Sequence, residues 1–369
     1  MNILHFYKTY YPDSVGGVEQ VIYQLAEGGS ELGLKAAVLT LSPAGSSRNG
    51  CHAHHVVHTS RQDFFIASTG FSFSVFSDFR DLARQADIIH YHFPWPFMDL
   101  VHFAVKTGKP SLVTYHSDIV KQKALNTLYQ PLMNRFLASV DRIVCTSPDY
   151  LQSSPVLQRF RQKTSVVPIG LEQADYPSAD EALLQQWRAR VGEDFFLFVG
   201  ALRYYKGLHT LLDAMSGTDW PVVIVGAGPM EAALKEQALR LGLQRIHFLG
   251  AVSDEDKRAL LELSGFFVFP SHLRSEAFGI SLLEAALYGK PLISCEIGTG
   301  TSYINKDGVT GMVVPPESAA SLRDAMGRLW ADKALSQRCG QAARQRYEAL
   351  FTAEKMLAGY QKVYADILC

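Results

Sequence analysis

The stretch from Gly265 to Tyr288 reads GFFVFPSHLRSEAFGISLLEAALY, and its three parts predict the fold of the chain around it. Gly265–Phe269 is a short, continuous apolar run, which is typical of a strand buried on both faces of a parallel sheet. A polar loop follows. Ile280–Tyr288 then has helical periodicity and is closed by Gly289. Strand, loop and helix in this order form the repeating unit of a doubly wound α/β domain.

The same alternation runs along the chain in two successive sets. The first set of predicted strands is Ile3–Phe6, Ala36–Leu41, Ile88–His92, Ser111–Tyr115, Arg142–Thr146 and Ser165–Pro168. The second set is Phe195–Val199, Val222–Val225, Ile246–Leu249, Gly265–Phe269, Pro291–Cys295 and Gly311–Val314. Helical segments separate the strands, so we predict an α/β protein with two doubly wound, Rossmann-like domains facing across a cleft. Ligands of such sheets bind outside the carboxyl ends of the strands.

The predicted domain boundaries follow from the polar stretches between the sets. Residues 1–171 form an N-terminal domain, residues 172–190 a linker, and residues 191–352 a C-terminal domain. The C-terminal helix, 353–369, is expected to pack back on the first domain. Ser42–Thr69 is polar and rich in His and Ser, so we interpret it as a variable excursion.

Composition excludes several classes of protein. The chain has 369 residues with 35 Lys+Arg and 36 Asp+Glu, and a net charge of −1 argues against general nucleic-acid binding. Neither a signal-peptide pattern nor an apolar run of membrane-spanning length is evident. The five cysteines have no zinc or redox spacing. We therefore expect a cytoplasmic, reduced protein.

Two glycine-bounded turns follow predicted strands. Gly16 and Gly17 open the first helix, where backbone can approach a ligand and free N–H groups can meet an anion; an ordinary strand–helix turn is an equal alternative. Gly200–Gly207 places Arg203 and Lys206 three residues apart. Those two cations suit a diphosphate clamp, although exposed loop charges are commonly solvated.

The Glu276–Glu284 spacing, in its strand–loop–helix context, completes a resemblance. Together with His90-Tyr-His92, Thr114-Tyr-His116-Ser-Asp118, Pro168-Ile-Gly170 and Asn305–Gly311, these motifs resemble family 4 retaining glycosyltransferases of the GT-B fold over nearly the whole chain. The combination of Tyr115-His-Ser-Asp118, Arg203-Tyr-Tyr-Lys-Gly-Leu208 and Gly298-Thr-Gly-Thr-Ser302 is similar to bacterial mannosyl- and rhamnosyltransferases. The family often has arginine where this chain has Ala201, which leaves Arg203 two residues from the usual position.

The resemblance implies that the N-terminal domain lies on the acceptor side and that the C-terminal domain binds the nucleotide sugar. It also implies roles for individual residues. Glu276 would bind hydroxyls of the donor sugar, Glu284 the nucleotide ribose, and Arg203 with Lys206 the diphosphate. His116 would reach the donor sugar near its anomeric centre. Further implied donor contacts are Gly16, Gly17, Phe278, Gly279, Val252 and Lys257, and the implied acceptor-side residues are Glu19 and His92.

The implied reaction is transfer of a hexose from a nucleotide diphosphate sugar. GDP-mannose or a related GDP-deoxyhexose is favoured as donor, and a glycan or polyprenyl-linked oligosaccharide of O-antigen type as acceptor. The resemblance implies retention of the anomeric configuration, and because no placed carboxylate nucleophile is evident, we expect front-face attack. Lys206, Arg203 and backbone N–H groups would stabilise the leaving diphosphate, so we expect no metal or other cofactor. A sugar-nucleotide epimerase and a non-catalytic sugar-nucleotide-binding subunit are the alternatives.

Three other patterns are weighed against that function. Gly226-Ala-Gly228 precedes Glu231, and a dinucleotide fingerprint needs a small residue there, which disfavours an NAD(P) oxidoreductase. The run from Cys51 to His58 has mixed spacings and disfavours a metal site. The amphipathic segment Lys121–Leu137 fits either packing on its own domain or peripheral contact with the inner face of the cytoplasmic membrane.

Overall fold

The computed structural model describes residues 1–43, 49–51, 54–66, 69–119 and 123–369, which form two compact units. Unit 1 comprises Met1–Gly170 and Ala353–Cys369, and unit 2 comprises Leu171–Thr352. The C-terminal helix thus belongs to unit 1. Each unit is an α/β domain built on a sheet whose paired strands are mostly parallel.

Unit 1 contains ten strands among its described residues. They are β1 (Asn2–Phe6), β2 (Lys35–Ser42), β3 (Asn49–Cys51), β4 (His55–Arg61), β5 (Phe64–Ile66), β6 (Thr69–Phe71), β7 (Ile88–Phe93), β8 (Ser111–Tyr115), β9 (Arg142–Cys145) and β10 (Thr164–Val166). Its helices are α1 (Gly17–Gly28), α2 (Val75–Gln85), α3 (Pro96–Val105), α4 (Lys123–Ser139), α5 (Pro148–Ser153), α6 (Pro155–Arg159) and, at the C-terminus, α15 (Ala353–Leu368).

The main sheet of unit 1 has the order β10-β9-β8-β7-β1-β2-β4-β3, while β5 and β6 form a separate hairpin. Every residue of β7 and β8 is buried, because helices cover both sheet faces. β1 lies between β2 and β7, so the chain leaves β1 towards one edge and returns to build the other. Such a reversal opens a crevice at the carboxyl ends of β1 and β7.

Unit 2 contains a six-stranded parallel sheet of order β13-β12-β11-β14-β15-β16. The strands are β11 (Phe196–Val199), β12 (Val222–Val225), β13 (Ile246–Gly250), β14 (Phe266–Phe269), β15 (Leu292–Cys295) and β16 (Gly311–Val314). The helices are α7 (Glu181–Val191), α8 (Leu208–Met215), α9 (Glu231–Arg240), α10 (Asp254–Leu263), α11 (Ile280–Leu287), α12 (Gly300–Ile304), α13 (Ala319–Ala331) and α14 (Lys333–Leu350). Its strand order reverses between β11 and β14, which places the corresponding crevice there.

Two sequence-based interpretations need correction. The polar stretch 42–69 is not only an excursion, because β4 pairs with β2 in parallel over seven residues, from Ala36↔His55 to Ser42↔Arg61. Near the sheet edge, buried His55 and Ser60 take positions that apolar residues usually occupy, and so hide the strand pattern.

The predicted linker 172–190 is also wrong in part. It belongs to unit 2 and contains most of α7, which begins at the N-cap Asp180. Trp187 is buried on this helix and donates its indole N–H to Asp256 of α10 at 2.8 Å. The N-cap and the apolar residues at helical spacing were the available signals for α7.

Candidate active site

The centre of the unit 2 site is a buried ion pair at the reversal of strand order. Lys206 follows β11 and Glu276 follows β14, and the Lys206 ammonium lies 2.5 Å from the Glu276 carboxylate. Both residues are more than 90% buried. The ring of Phe269 lies 4.7 Å from the Lys206 ammonium, and Ser271 donates to Glu276 at 3.4 Å. Two residues predicted to bind the donor are therefore brought together.

Glycines let the backbone carry Lys206 to this position. Gly207 has φ +68°, and a side chain there would lie 1.9 Å from the carbonyl oxygen of Pro270. A side chain at Gly226 would lie 2.0 Å from the carbonyl oxygen of Gly200. The glycine pair that resembles a dinucleotide fingerprint is thus explained by close packing against the loop that carries Arg203 and Lys206.

A second ion pair holds Glu284, on α11. Its carboxylate, 4% exposed, accepts hydrogen bonds from the Lys257 ammonium and from the Tyr176 hydroxyl, each at 2.9 Å. Burial opposes the charge of Lys257, but the carboxylates of Glu284 and Asp254 outweigh it, so the pKa of Lys257 lies above its ordinary value. Two side chains from different parts of unit 2 thus hold the Glu284 carboxylate in place as a hydrogen-bond acceptor.

The start of α11 lies between these two glutamates in sequence. Gly279 caps the helix with φ +98° and offers no side-chain acceptor, so the first N–H groups of α11 have no side-chain cap. Such N–H groups attract an anion. Phe278 is buried, and its ring packs against Phe351 and the backbone at Gly300, so a donor contact from Phe278 would come from its backbone.

The remaining predicted residues of unit 2 are more open. Arg203 is exposed, and among the described residues its guanidinium has no hydrogen-bond or ion-pair partner. Val252 is half-buried in the loop between β13 and α10. Arg274, which the sequence analysis did not single out, ties the loop down by donating to the carbonyl oxygens of Ile297 and Gly298.

The Gly16–Gly17 turn of unit 1 holds a carboxylate. Gly16 is the extended N-cap of α1, with φ −161°, and it has no side-chain capping bond. Glu19 is 6% exposed and accepts from the Ser14 hydroxyl at 2.8 Å. A side chain at Gly16 would lie 2.6 Å from the second Glu19 oxygen. In this structure Glu19 therefore folds back on the turn that was predicted to approach the diphosphate.

His116 lies directly after β8 and is 8% exposed. Its Nε2 is 3.0 Å from Nδ1 of His92, whose Nε2 is in turn 3.1 Å from Nδ1 of His5. Burial lowers the pKa of His116 to about 3. Burial, followed by the neighbouring imidazoles, holds the pKa of His92 well below its ordinary value. These rings are therefore neutral at pH 7.

The predicted acceptor-side position of His92 is not where the structure places it. Its side chain is fully buried and both ring nitrogens are hydrogen-bonded, so it cannot contact an acceptor directly. His90, expected to be a packed histidine, is fully buried as well, with bonds to the hydroxyls of Tyr364 and Thr114.

Two groups of described residues bring three potential metal ligands close together. In the first, His5, His90 and His92, the rings of His90 and His92 stack at 4.3 Å and 23°. Imidazole lone pairs lie in the ring plane, so stacked rings do not direct them to one point.

The second metal-capable group is His209, His272 and Glu317. Its Glu317 side chain is 67% exposed and 3.9 Å from His272, as in a loose surface ion pair. In the run 51–58, His54 and His55 contact Glu27. The side chains of Cys51 and His52 lie outside the described part of the structure. Neither metal-capable group contains a predicted donor-binding residue.

The residues that the sequence analysis missed form hydrogen bonds to the predicted site residues. Tyr176 holds Glu284 from a segment interpreted as linker, and His5 holds His92 from β1. The only local signal for His5 is its polarity in an apolar strand. In chemical terms, unit 2 offers cations and helix N–H groups for an anion, with carboxylates for hydroxyl groups.

Comparison with known proteins agrees with this chemistry. The model of Glycosyltransferase Family 4 matches residues 15–173, and that of Glycosyl transferases group 1 matches residues 180–346. D-rhamnosyltransferase WbpZ of Pseudomonas aeruginosa is 59% identical over 96% of this chain and 93% of that protein. O-antigen chain mannosyltransferase C of Escherichia coli is 51% identical over 100% of this chain and 99% of that protein.

Among solved structures, sucrose-phosphate synthase from Thermosynechococcus elongatus is similar in fold. It has a TM-score of 0.80 and 20% identity, over 100% of this chain and 99% of that one. The two family models, the full-length relatives and the paired α/β sheets confirm the predicted GT-B fold. The chain therefore belongs to glycosyltransferase family 4 and is a glycosyltransferase.

Proposed function

We propose that this glycosyltransferase moves mannose, or a 6-deoxy sugar related to it, from a GDP sugar to a glycan or polyprenyl-linked oligosaccharide in O-antigen-type biosynthesis. The observation that carries the proposal is full-length identity of 59% and 51% to a D-rhamnosyltransferase and an O-antigen chain mannosyltransferase. D-rhamnose is D-mannose without its 6-hydroxyl. The two relatives thus differ in sugar by one oxygen atom, which defines a narrow class of donor.

The ion pair of unit 2 supports binding of such a donor. Sugar transfer releases a nucleoside diphosphate, so negative charge grows on the leaving oxygen. Lys206 supplies a buried positive charge, and the open start of α11 supplies backbone N–H groups. Groups fixed in place before the reaction stabilise such charge most effectively. Arg203 adds an exposed cation at the same loop.

The carboxylates support the sugar end and the ribose end of the donor. Glu276 would accept from sugar hydroxyls and Glu284 from the ribose, because carboxylates only accept hydrogen bonds when ionised. His116 would contact the sugar through Nδ1, which makes no hydrogen bond within the described part of the chain.

We infer a front-face mechanism with retention. The bond from the anomeric carbon to the diphosphate oxygen breaks, and the acceptor hydroxyl bonds to that carbon on the same face. The departing phosphate oxygen takes the hydroxyl proton. An α-linked donor would then give an α-linked product, and NMR of the product that showed a β-linkage would refute the mechanism.

The donor is tested by a matched pair of assays. Thermal shift with GDP-mannose, GDP-D-rhamnose, UDP-glucose and UDP-galactose should raise the melting temperature only for GDP sugars, because a ligand stabilises the folded state by mass action. Transfer to a lipid-linked oligosaccharide acceptor is then measured with and without EDTA. We expect the same rate in both. A shift only with UDP sugars would contradict the donor, and loss of activity in EDTA would contradict metal independence.

Membrane contact is a separate part of the proposal. None of the helices in the described residues has the length and apolar character to cross a membrane. α4 buries Met133, Phe136 and Leu137 in unit 1, yet Leu128 on the same helix is 80% exposed. Co-sedimentation with anionic liposomes, compared with Leu128→Gln, would measure peripheral contact. Complete recovery of the wild-type protein in the supernatant would rule this contact out.

A further inference from the structure

One face of the unit 1 sheet carries a line of buried polar side chains. His5 on β1 pairs in register with His90 on β7, and Thr114 on β8 pairs with His92. Side chains two residues apart in a strand share a face, so all four point to the same side of the sheet. His116, two residues after Thr114, continues this line past the end of β8.

Within this face, hydrogen bonds separate two sets. His90 and Thr114 bond to hydroxyls of α15: His90 Nδ1 lies 2.8 Å from Tyr364, and Thr114 lies 2.8 Å from Tyr360. His5, His92 and His116 instead bond to one another through ring nitrogens. The three-histidine chain His116–His92–His5 is what we call the imidazole relay.

The relay has only two consistent proton arrangements when all its rings are neutral. Each N···N contact needs one N–H, and a neutral imidazole has one N–H to give. If His5 donates to His92, then His92 donates to His116, and His116 carries its proton on Nδ1. If the direction reverses, His116 donates through Nε2, and its Nδ1 becomes an acceptor.

Burial keeps the rings in this neutral form. His5 is 1% exposed, and desolvation lowers its pKa to about 3, with a smaller contribution from His55. The pKa of His116 is lowered to a similar value. Protonating His92, whose two ring nitrogens both face another imidazole, would in either arrangement also place two N–H groups at one contact. With all three rings neutral, the tautomer of each ring therefore determines the tautomers of the other two.

We propose that His92 and His5 are positioning residues that orient the His116 ring and determine whether its Nδ1 donates or accepts a hydrogen bond. The proposal rests on the donor-sugar contact of His116 under Proposed function. The hydrogen-bond partner of one imidazole nitrogen determines the tautomer, and so the chemistry, of the other. A sugar hydroxyl can pair with either form, but a fixed form holds it in one orientation.

The test uses His92→Phe, which keeps a flat buried ring and removes both relay contacts. His90→Phe is the matched control, because it changes an adjacent buried ring, 4.3 Å away, that makes no relay contact. Both variants are checked for folding by circular dichroism and thermal melting. His92→Gln, whose amide can donate and accept, is the conservative variant and keeps the test valid if His92→Phe does not fold.

The main readout is ¹⁵N NMR of labelled histidine, which distinguishes the two neutral tautomers without any substrate. We expect one tautomer of His116 in the wild type and in His90→Phe, and a mixture in His92→Phe. We also expect kcat about 10- to 100-fold lower in His92→Phe, by analogy with the hydrogen-bond partners of metal-bound histidines, with donor affinity unchanged and partial rescue in His92→Gln.

A folded His92→Phe protein with wild-type His116 signals would overturn the proposal, as would equal loss of kcat in His90→Phe. Failure of the proposed function looks different. If no GDP sugar is a donor, the assay detects no turnover in the wild type, while the tautomer shift on substitution still reports whether the relay exists. The two failures are therefore separable.

Discussion

The two units present their predicted site residues in opposite electrostatic forms. Unit 1 buries neutral imidazoles that bond to one another, whereas unit 2 buries charges in the pairs Lys206–Glu276 and Lys257–Glu284. Both sets lie at or directly after carboxyl ends of parallel strands or on the helix that follows them. The difference shows that the same type of fold can support either a hydrogen-bond network or fixed charges, depending on which side chains follow the strands.

The forms have different energetic consequences. A neutral imidazole network loses stability when protons are added, because burial opposes the charged ring. A buried ion pair loses stability when one partner is removed, because the other charge remains without compensation. Each form can therefore be tested by a change to which the other should respond much less.

The largest expected effect comes from Lys206→Met. It leaves Glu276 buried without its partner, which should lower the free energy of unfolding by about 3–5 kcal/mol. Loss of a fixed cation at the diphosphate should also lower kcat by about 10²- to 10³-fold. Urea unfolding and steady-state transfer assays measure the two effects.

The control for Lys206→Met is Lys235→Met. Lys235 forms an exposed pair with Glu231 on α9 at 2.7 Å, and it should contribute less than about 0.5 kcal/mol. The double variant Lys206→Met/Glu276→Leu should regain part of the stability but no activity. If Lys206→Met were as stable as Lys235→Met, the description of unit 2 as held by buried charge would be wrong.

Glu284→Gln should have the next largest effect. It keeps the shape of the side chain but removes the carboxylate that accepts from Tyr176 and Lys257. Losing charged hydrogen bonds to the ribose costs about 1.5–3 kcal/mol, which corresponds to a roughly 10- to 150-fold higher KM for the donor. We expect kcat to change little, because the ribose is bound in both ground and transition states. A fall in kcat with unchanged KM would assign Glu284 to the chemical step.

The acid response of unit 1 gives a smaller effect per residue. The pKa values of His5, His90, His92 and His116 are all lowered by burial, while the same rings in an unfolded chain titrate near 6.5. Below pH 6.5 the unfolded chain therefore binds more protons than the folded one. Stability must fall as the pH decreases from 6.5 towards 3, by up to about 1.4 kcal/mol per pH unit for each histidine.

His92→Gln should make that slope shallower, and urea unfolding between pH 7 and pH 4 measures it. Measurements above pH 7 serve as the control, because imidazoles no longer titrate there and the slopes of both proteins should agree. Parallel curves across the acid range would mean that His92 takes up protons equally in both states. The neutral character of the relay would then be wrong.

The sequence predicts the elements of unit 2 better than their contacts. Apolar strands such as Val222–Val225 and Gly311–Val314 have the predicted bounds, since strands covered on both faces consist of continuous apolar residues. The strand β4 was missed because buried His55 and Ser60 disguise it. Lys206 and Glu276 were each proposed, but their direct pairing depends on β11 and β14 being neighbours, which no local pattern reveals.

The relay illustrates the same limit in unit 1. The spacing of His90 and His92 places both on one face of a strand, and this could be read from the sequence. That His5 lies beside them depends on the register His5↔His90 between β1 and β7. Register is determined by packing over the whole sheet, so the sequence indicated a packed histidine but not its partners. His92 was predicted to contact the acceptor because the sequence did not show that its ring would be buried between His5 and His116.

Arg203 offers the smallest expected effect and the sharpest contrast within unit 2. Ala201 occupies the position where the family often has arginine, and Arg203 is exposed and unpaired among the described residues, whereas Lys206 is buried and paired. Arg203→Ala should leave the free energy of unfolding unchanged within about 0.5 kcal/mol, as for other surface substitutions. It should lower kcat/KM by about 2- to 10-fold, because an exposed side chain contributes about one net hydrogen bond to the donor.

The decisive variant is Ala201→Arg in the Arg203→Ala background, with transfer measured at low and high salt. If Arg203 substitutes for the cation absent at Ala201, the restored arginine should recover kcat/KM to the wild-type level. Exposed charges are screened by salt, so the wild-type advantage over Arg203→Ala should also shrink as ionic strength rises. If Arg203→Ala lost as much transfer activity as Lys206→Met, the exposed cation would contribute as much to transfer as the buried one. Burial would then not explain why Lys206 is expected to matter more than Arg203.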